Sequence, residues 1–451
     1  MNFRRLVKKL IPKKLFLKVE PYGHWLEAVL ENVVFGFPMR GLKVIGITGT
    51  AGKTTSCTLI TNLLRESGLK VAMMTTISID YGDGKGPRAN TTRMTSVGSL
   101  KLIRAVKKMK ANNIDWLVLE TTSQALSQHR VFGVPYSIVG FTNLGHDNFH
   151  YHGSFERYRA AKVKLFKQCN RNRKGLRVGL VNSDDPSSQY FSQAIKNPIT
   201  YGLNSGDLKA TNVKLTASGS DFIASINKDS YKVRTNLPGK FNVYNTLLAI
   251  GIGREIGLTK KQIEQGIASL NGVEGRMSSV NEGQNFSVIV DYATTPETFN
   301  EVFSAVKDAV KGRVIAVFGS AGRRDELKRP EIGKIAGKQA DIVILTEEDD
   351  RDQDGEKIMS EISEGVKKAG KAIGRDLFLI HDREKAVERA IKIAKKGDLV
   401  LLLGKGEETV IISNKPGFKP TPGHNYNEST DTIRREYNDT LAAIKAIRQK
   451  N

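Results

Sequence analysis

The sequence predicts an α/β protein with two mostly parallel sheets, each covered by helices on both faces. From residue 43 onward, short and nearly continuous apolar strands alternate with helical patterns, which is typical of buried parallel sheets. Polar residues follow many of these strands, at the edge where doubly wound sheets bind ligands. Residues 207–236 break the rhythm with strict alternation and turn residues, which predicts a small antiparallel patch within the first sheet region.

The strand candidates fall into two series. The first comprises "KVIGI", "DWLVLE", "YSIVGFT" and "RVGLVN", and the second "FSVIVDY", "RVIAVFG", "DIVILTE", "LFLIHD" and "DLVLLLGKG". A boundary near residue 278 is expected, because "GVEGRMSS" precedes the second series. We therefore predict a short N-terminal segment (1–42), a central domain with the antiparallel patch (43–277) and a Rossmann-like α/β domain (278–451).

The first 20 residues differ from the rest, because basic residues alternate with apolar ones and Pro12 interrupts the pattern. Such a basic amphipathic segment is typical of contact with an anionic membrane surface. It is equally typical of a segment packed on the domain behind it. Both interpretations stay open at this point.

Composition excludes several classes of protein. The two cysteines, Cys57 and Cys169, are far apart, which excludes a disulfide scaffold and a thiolate zinc site and fits a reducing compartment. No apolar run is long enough to cross a membrane and the first residues lack the apolar core of a signal peptide, so we expect a cytoplasmic protein. The net charge of +23 is spread along the chain without any nucleic-acid-binding signature, so we expect small-molecule partners and no nucleic acid.

The stretch "VIGITGTAGKTTSCTLITNLLRESG" has the order strand, glycine-rich turn, helix, with Gly68 as the stop. Ile47 stands where the strict Walker spacing requires glycine, but Gly49 and Gly52 still let backbone N–H groups surround phosphates at a helix N-terminus. Lys53 is expected to reach the β- and γ-phosphates of ATP, and the Thr54 hydroxyl to hold Mg²⁺. The predicted ATP-binding loop comprises Gly49, Thr50, Gly52, Lys53, Thr54 and Thr55.

"TGTAGKTT" resembles the "TGTNGKTT" loop of the Mur ligase family, ATP-dependent enzymes that join an amino acid to a growing peptide carboxylate. The resemblance continues in order through "LETTSQALSQHR", "TNLGHDNFHYHG", "YRAAKVKLF", "GKFNVYN", "GRM", "VDYATTP", "KRP" and "GKGEE". These motifs together resemble the branch that adds the third peptide residue in peptidoglycan precursor synthesis. The resemblance implies a monomer whose substrates are ATP, an amino acid and a UDP-N-acetylmuramoyl-dipeptide, joined through an acyl phosphate.

Three histidines in "NLGHDNFHYHG" (143–153) raise the question of a metal site. Zinc is disfavoured because no further soft ligand is near, whereas a nucleotide enzyme requires Mg²⁺ held by oxygen ligands. The resemblance assigns the metal to Glu120, position 148 and a carbamylated Lys162, alongside Thr54. Position 148 is Asn148, where the family has histidine, and its carbonyl oxygen can still ligate Mg²⁺; His146 is an alternative ligand.

The resemblance also implies contacts to the rest of the nucleotide and to the acceptor. Asn245, Arg276 and Asp291 would contact adenine, phosphate and ribose, and the acceptor would contact Thr95, Ser96, Thr122 and Arg130. The implied catalytic residues are Lys53, Glu120, Lys162 and Arg276. The family's UDP-binding domain is far larger than the roughly 40 residues before the first strand, so we expect either that the UDP-sugar end is held differently or that the acceptor is different.

The amino-acid site is implied to contain Arg324, Arg351, Gly404 and Glu408. Arg351 falls where diaminopimelate-adding members hold the distal carboxylate, and a guanidinium suits a carboxylate. The preceding run Glu347–Asp350 favours a cationic side chain such as lysine, unless it is a solvated acidic loop. Diaminopimelate and lysine both stay open, with a preference for diaminopimelate.

Two other functions are compatible with these motifs. One is a two-domain amide ligase resembling folylpolyglutamate synthetase, against which "TGTAGKTT", "FNVYN" and "GKGEE" weigh. The other is a P-loop ATPase or a pseudoenzyme that forms no peptide bond. The pseudoenzyme is conceivable because other residues stand where the family has histidines, namely Gln124, Asn148, Thr294 and Glu407.

Overall fold

The computed structural model describes residues 13–90, 98–145, 149–216, 219–307, 310–415 and 431–450. Two large sheets dominate these residues, one formed from the first half of the chain and one from the second, with helices on their faces. The first is mostly parallel with an antiparallel patch, and the second is a Rossmann-like α/β sheet. The predicted fold class is therefore confirmed.

The first sheet has eleven described strands in the order β11-β10-β9-β8-β7-β6-β1-β5-β2-β3-β4. Strands β5, β1, β6, β7 and β8 are neighbours in this order and pair in parallel. Strands β9, β10 and β11 form an antiparallel meander, which joins the sheet where β9 pairs with β8. The bounds are β1 Val44–Thr48, β2 Val71–Met74, β3 Ser78–Asp80, β4 Arg88–Ala89, β5 Trp116–Glu120, β6 Tyr136–Phe141, β7 Val178–Asn182, β8 Asn197–Gly202, β9 Leu208–Thr216, β10 Gly219–Ile226 and β11 Asp229–Thr235.

Nine helices accompany this sheet in the described part of the chain. They are α1 Lys13–Val34, α2 Lys53–Glu66, α3 Ser99–Ala111, α4 Ser123–Ser127, α5 Phe149–His152, α6 Phe155–Arg171, α7 Ser188–Ser192, α8 Lys240–Ile256 and α9 Lys260–Ala268. Helix α2 packs on α8 and α9 on one face of the sheet, while α3 and α6 bury their apolar sides on the other. Every residue of β1, β5 and β6 is buried, as expected for strands covered on both faces.

The second sheet has the order β12-β13-β17-β14-β15-β16 and is parallel apart from β12. Its strands are β12 Ser278–Ser279, β13 Ser287–Asp291, β14 Val314–Phe318, β15 Ile342–Leu345, β16 Leu377–Leu379 and β17 Leu399–Leu403; a separate hairpin joins β18 Val410–Asn414 to β19 Thr432–Glu436. Its helices are α10 Pro296–Val306, α11 Lys328–Gln339, α12 Gly355–Lys368, α13 Arg383–Ile393 and α14 Asp439–Lys450.

All nine strands predicted from apolar runs are present, and the antiparallel patch at 207–236 is β9 to β11. The patch is an extension of the large sheet, because β9 pairs in parallel with β8. The last strand of the first sheet ends at Thr235 and the first strand of the second begins at Ser278, but the predicted limits 1–42, 43–277 and 278–451 stay a prediction. Among the described helices, none combines the length and apolar character that a membrane crossing requires.

Candidate active site between the two sheets

A cavity of about 410 Å³ lies between the carboxyl ends of the two sheets. The first sheet contributes the loop after β1 and the end of β5, and the second contributes the ends of β13, β15 and β17. Parallel sheets bind ligands at this edge because the loops that follow neighbouring strands converge there. Most of the residues singled out from sequence line this one cavity.

The loop after β1 has the geometry that a phosphate site requires. Gly52 has φ +78°, and a Cβ at this position would lie 2.5 Å from Asn245 Oδ1, so only glycine fits without displacement. Helix α2 begins at Lys53, so the free N–H groups of its first turn point into the cavity region. Lys53 Nζ donates to the Thr50 carbonyl at 2.8 Å, which holds the ammonium beside the loop.

Glu120, at the end of β5, lies beside the first turn of α2. Its Oε2 accepts from the Thr54 hydroxyl at 2.9 Å and from the Thr76 N–H at 3.1 Å, and its Oε1 accepts from the Thr76 hydroxyl at 3.0 Å. The carboxylate is buried, with 2% of its surface exposed. Thr54 and Glu120 thus place a hydroxyl and a carboxylate next to the phosphate loop. Oxygen atoms of this kind are the ligands that Mg²⁺ prefers.

Lys162 lies beneath the phosphate loop and does not line the cavity. Its Nζ donates to the Gly49 carbonyl at 2.6 Å and lies 4.6 Å from the centre of the Tyr158 ring. The side chain is 2% exposed, which is unusual for lysine and excludes the solvated helix face that is the ordinary place for a lysine. Carbamylation of Lys162 stays a prediction, and Asn148 and His146 lie outside the described residues.

Arg276 reaches the cavity from the segment between the two sheets. Its Nη2 lies 3.3 Å from Glu407 Oε1, and its guanidinium carbon lies 4.4 Å from the centre of the Tyr292 ring. Burial raises the pKa of Glu407 to about 7, against the opposing effect of Arg276. Arg276, which is expected to contact the nucleotide phosphate, is therefore paired with Glu407. Glu407 stands at a position where the family has histidine.

Asp291, at the end of β13, uses both oxygens to organise the backbone around it. Oδ2 accepts from the Met277 N–H and Oδ1 from the Ala293 N–H, each at 2.8 Å. Burial raises its pKa, and Arg276 opposes that shift. The second lone pair of each oxygen stays available to a ribose hydroxyl at the cavity wall.

Arg351 follows β15 and lines the cavity in a left-handed backbone conformation, with φ +58°. Its Nε is buried and has no hydrogen-bond partner among the described residues. A buried N–H donor without a partner is costly, so this Nε fits an anionic ligand that completes the site. Arg324 lines the same cavity and is more exposed.

The acidic run before Arg351 is buried, so the solvated-loop interpretation is wrong. Three of its four carboxylates are paired with basic side chains of the protein: Glu347 with Arg435, Asp349 with Lys405 and Asp350 with His381. Glu348 is 8% exposed; burial raises its pKa, while Lys328 and Lys405 lower it. The run as a whole therefore does not select a cationic substrate, although Glu348 and Asp349 do line the cavity.

Glu408 sits in a small polar cluster near Arg351. The fully buried Lys405 pairs with both Glu408 and Asp349, and the Tyr292 hydroxyl lies 3.3 Å from Glu408 Oε1. Glu408 lines the cavity, where a carboxylate suits an ammonium group. Gly404 does not line it; a Cβ there would lie 3.1 Å from Glu348 Oε2, so Gly404 makes room for Glu348.

The predicted acceptor residues divide into two groups. Thr122 caps α4 by accepting from the Ala125 N–H at 3.2 Å, and Arg130 donates to Gln128 Oε1 at 2.7 Å; both line the cavity. Thr95 and Ser96 lie outside the described residues. Nearby, His152 Nε2 lies 3.0 Å from Ser123 Oγ, a structural contact rather than a metal site.

Several cavity residues were not singled out from sequence, namely Thr76, Phe241, Tyr292, Glu301 and Lys328. Phe241, Tyr292 and Lys328 lie within the motifs "GKFNVYN", "VDYATTP" and "KRP", so a signal for them existed. Glu301 had none. It lies on α10, where burial and the nearby Asp291 and Glu297 raise its pKa to about 7.

Two family models match the chain: the Mur ligase middle domain over residues 47–253, and the Mur ligase glutamate ligase domain over residues 275–406. A relative from Geobacillus kaustophilus, named UDP-N-acetylmuramoyl-L-alanyl-D-glutamate--2,6-diaminopimelate ligase, is 39% identical over 392 residues, which cover 86% of this chain and 78% of the relative. The chain belongs to the Mur ligase family.

Other Mur ligases match over a similar length. A UDP-N-acetylmuramyl-tripeptide synthetase from Borrelia garinii subsp. bavariensis is 35% identical over 416 residues, covering 90% of this chain and 80% of that relative. A solved structure of a UDP-N-acetylmuramoyl-L-alanyl-D-glutamate--2,6-diaminopimelate ligase superposes with a TM-score of 0.60 at 28% identity, covering 91% of this Mur ligase and 79% of that chain. Folylpolyglutamate synthase from Mycobacterium tuberculosis superposes with a TM-score of 0.68 at 14% identity, covering 84% and 91%, a likeness of fold alone.

Proposed function

We propose that this Mur ligase uses ATP to join an amino acid, diaminopimelate in preference to lysine, to the terminal carboxylate of a UDP-N-acetylmuramoyl-dipeptide. The observation that carries the proposal is the single cavity in which the phosphate loop of one sheet faces Arg351 and Glu408 of the other. The names of the relatives support the same reaction. The buried, unpartnered Nε of Arg351 favours diaminopimelate, which has a second carboxylate.

The reaction has two chemical steps. An oxygen of the acceptor carboxylate attacks the γ-phosphorus of ATP, and ADP leaves from an acyl phosphate. The amino group of the incoming amino acid, having lost a proton, attacks the acyl carbon, and the tetrahedral intermediate collapses to an amide and inorganic phosphate. Lys53 and Arg276 would offset the negative charge on the transferring phosphoryl group, because fixed charges in a water-poor site stabilise it strongly.

Mg²⁺ fits the residues present, since the Thr54 hydroxyl and the Glu120 carboxylate are oxygen donors 2.9 Å apart at the phosphate loop. When bound, Mg²⁺ supplies positive charge to the phosphate oxygens. Asn148 and a carbamylated Lys162 are the further ligands that we propose. We also propose that the protein acts as a cytoplasmic monomer with peripheral contact to an anionic membrane through its N-terminal segment.

The test is the release of phosphate and the formation of peptide product with ATP, Mg²⁺, UDP-N-acetylmuramoyl-L-alanyl-D-glutamate and a panel of amino acids. We expect both signals with diaminopimelate, weaker signals with lysine, and loss of more than about 95% in Lys53→Ala, because the loop loses its cation. Phosphate release that is independent of any amino acid would instead indicate a plain ATPase. Turnover with a folate-type acceptor and none with the muramoyl dipeptide would indicate the alternative ligase.

A further inference from the structure

Helix α1 exposes an apolar surface that no described residue covers. Five of the fourteen large hydrophobic side chains that are exposed in the described residues fall within ten consecutive positions of this helix. Their exposed fractions are Trp25 44%, Leu26 52%, Leu30 55%, Val33 57% and Val34 77%. Scattered exposed hydrophobics are normal, whereas such a concentration marks an interaction surface.

The positions of these residues define a face of the helix. Leu26, Leu30, Val33 and Val34 are spaced by four, three and one residues, so they lie on one side of α1; we call this set the apolar stripe. The opposite side is fixed to the protein, because Ala28 and Asn32 are buried and Asn32 Nδ2 donates to the Phe132 carbonyl at 3.5 Å. Helix α1 is thus attached by one side and presents the apolar stripe outward.

Charge identifies the kind of partner. From residue 1 to the end of α1 at Val34, three acidic side chains, Glu20, Glu27 and Glu31, stand against seven basic ones: Arg4, Arg5, Lys8, Lys9, Lys13, Lys14 and Lys18. Helix α3, on which α1 packs, exposes five more: Lys101, Arg104, Lys107, Lys108 and Lys110. A second copy of this chain would bring the same positive charge against itself, so the complementary surface is apolar and anionic.

We propose that α1, with the basic residues around it, docks the protein on the surface of an anionic lipid bilayer, with the apolar stripe at the boundary between headgroups and acyl chains. Amphipathic helices bind such surfaces when buried apolar area and attraction of Lys and Arg to anionic lipid act together. Both contributions are present on the same helix. None of the residues that carry the proposal lines the cavity, so it does not depend on which amino acid the enzyme adds.

The two tryptophans of the chain give a direct measurement. Trp25 is 44% exposed on α1, whereas Trp116 is 5% exposed inside the first sheet. With vesicles of phosphatidylcholine and phosphatidylglycerol we expect a blue shift of the fluorescence emission, because Trp25 leaves water while Trp116 does not change. The shift should be absent with pure phosphatidylcholine and in Trp25→Phe. Binding to the anionic vesicles without any shift would show that α1 is not the contact.

Matched variants test whether vesicle binding depends on the apolar stripe or on any exposed hydrophobic side chain. The double variant Leu26→Glu/Leu30→Glu should lower sedimentation with anionic vesicles at least about tenfold, because it removes apolar area and adds negative charge. Leu441→Glu is the control, since Leu441 is 66% exposed on α14, and it should bind vesicles as the wild type does. Both variants should retain the circular dichroism and ligase activity of the wild type, and added salt should weaken wild-type binding.

Three results would overturn the proposal. They are wild type that fails to sediment with anionic vesicles, a double variant that sediments equally well, and a wild-type dimer that the double variant converts to monomer. The last result would assign the apolar stripe to a second copy. Retention by an acidic protein together with no vesicle binding would assign it to a protein partner.

Discussion

Lys162 is the buried lysine whose chemical form decides how the metal site is built. If it is carbamylated, Lys162→Ala removes an anionic oxygen ligand, so we expect nearly complete loss of ligase activity and partial recovery with short-chain carboxylic acids. Lys167→Ala is the control, because Lys167 is exposed on the same helix α6. Steady-state product formation with and without the added acids measures the effect. If Lys162→Ala is active and added carboxylic acids do not change its activity, the role of Lys162 is limited to its hydrogen bond to the Gly49 carbonyl.

Glu407 gives the protein a pH dependence whose sign can be worked out. Burial raises its pKa from 4.5 to about 7 in the folded state, so its contribution to stability is fully present below pH 4.5 and is lost as the pH rises to about 7. Glu407→Gln cannot ionise. The free energy of unfolding of the wild type should therefore fall relative to the variant between pH 5 and pH 8, by about 2–3 kcal/mol.

Denaturant titrations of both proteins across that pH range provide the measurement. Comparing the two proteins at each pH isolates Glu407 from Glu301, whose pKa is also raised to about 7. Parallel curves for the wild type and Glu407→Gln would contradict the prediction. At pH 8 the variant should also have a lower KM for ATP, because Arg276 no longer has a charged partner to give up.

At the scale of elements, the loop after β15 supplies the test of amino-acid specificity. Three of its acidic residues, Glu347, Asp349 and Asp350, are paired with basic side chains of the protein, and Arg351 has a buried Nε without a described partner. If Arg351 forms a bidentate pair with the distal carboxylate of diaminopimelate, Arg351→Ala should cost about 2–3 kcal/mol, or some 30- to 150-fold in kcat/KM. Turnover of lysine should change little, because lysine has no second carboxylate. Equal losses for both amino acids would indicate that Arg351 holds another group.

Elements differ in how far the sequence predicts them. The nine apolar strands were predictable because burial on both faces leaves a continuous hydrophobic run, as in β17. Strand β8, "NPITYG", was missed because it has no continuous apolar run, and its place in the sheet depends on pairing with β7 and β9. Hairpin β18–β19 was missed for a related reason, since its two strands are separated by a long stretch of chain.

The site follows the same division. The predicted phosphate loop is local, so its glycines and Lys53 could be singled out from the order of strand, glycine-rich turn and helix, although Ile47 breaks the strict Walker spacing. The pairing of Arg276 with Glu407 joins residues 131 positions apart, and the burial of Glu347–Asp350 depends on cations from several other elements. No local pattern contains that information. The sequence therefore left two interpretations of the acidic run open, a solvated loop and a loop that selects a cationic substrate.

At the scale of the whole molecule, Arg383 joins the C-terminal helix to the second sheet. Its guanidinium donates to both oxygens of Asp439 at 2.8 Å and to the Leu403 carbonyl at 2.9 Å, and neither Arg383 nor Asp439 has exposed surface. Arg383→Ala would leave the Asp439 carboxylate buried without its cation, so we expect the free energy of unfolding to fall by about 3–5 kcal/mol.

Arg375→Ala is the matched control for this prediction. Arg375 also pairs with an aspartate at 2.8 Å, but its side chain is 66% exposed, so the loss should stay within about 1 kcal/mol. Urea titration of the two variants and the wild type checks the difference. Similar losses for both variants would show that burial does not determine what these ion pairs contribute.

The four residues Lys405–Glu408 connect the two ligand sites that we propose, one for the nucleotide and one for the amino acid. Glu407 pairs with Arg276 on the nucleotide side, while Lys405 and Glu408 form the polar cluster on the amino-acid side. If a nucleotide phosphate pairs with Arg276, the ion pair between Arg276 and Glu407 breaks. Glu407 and Glu408 are adjacent in the chain, so this change affects the backbone that positions Glu408. The two affinities are then thermodynamically coupled, and the coupling is reciprocal, so whatever factor ATP applies to amino-acid binding, the amino acid applies to ATP binding.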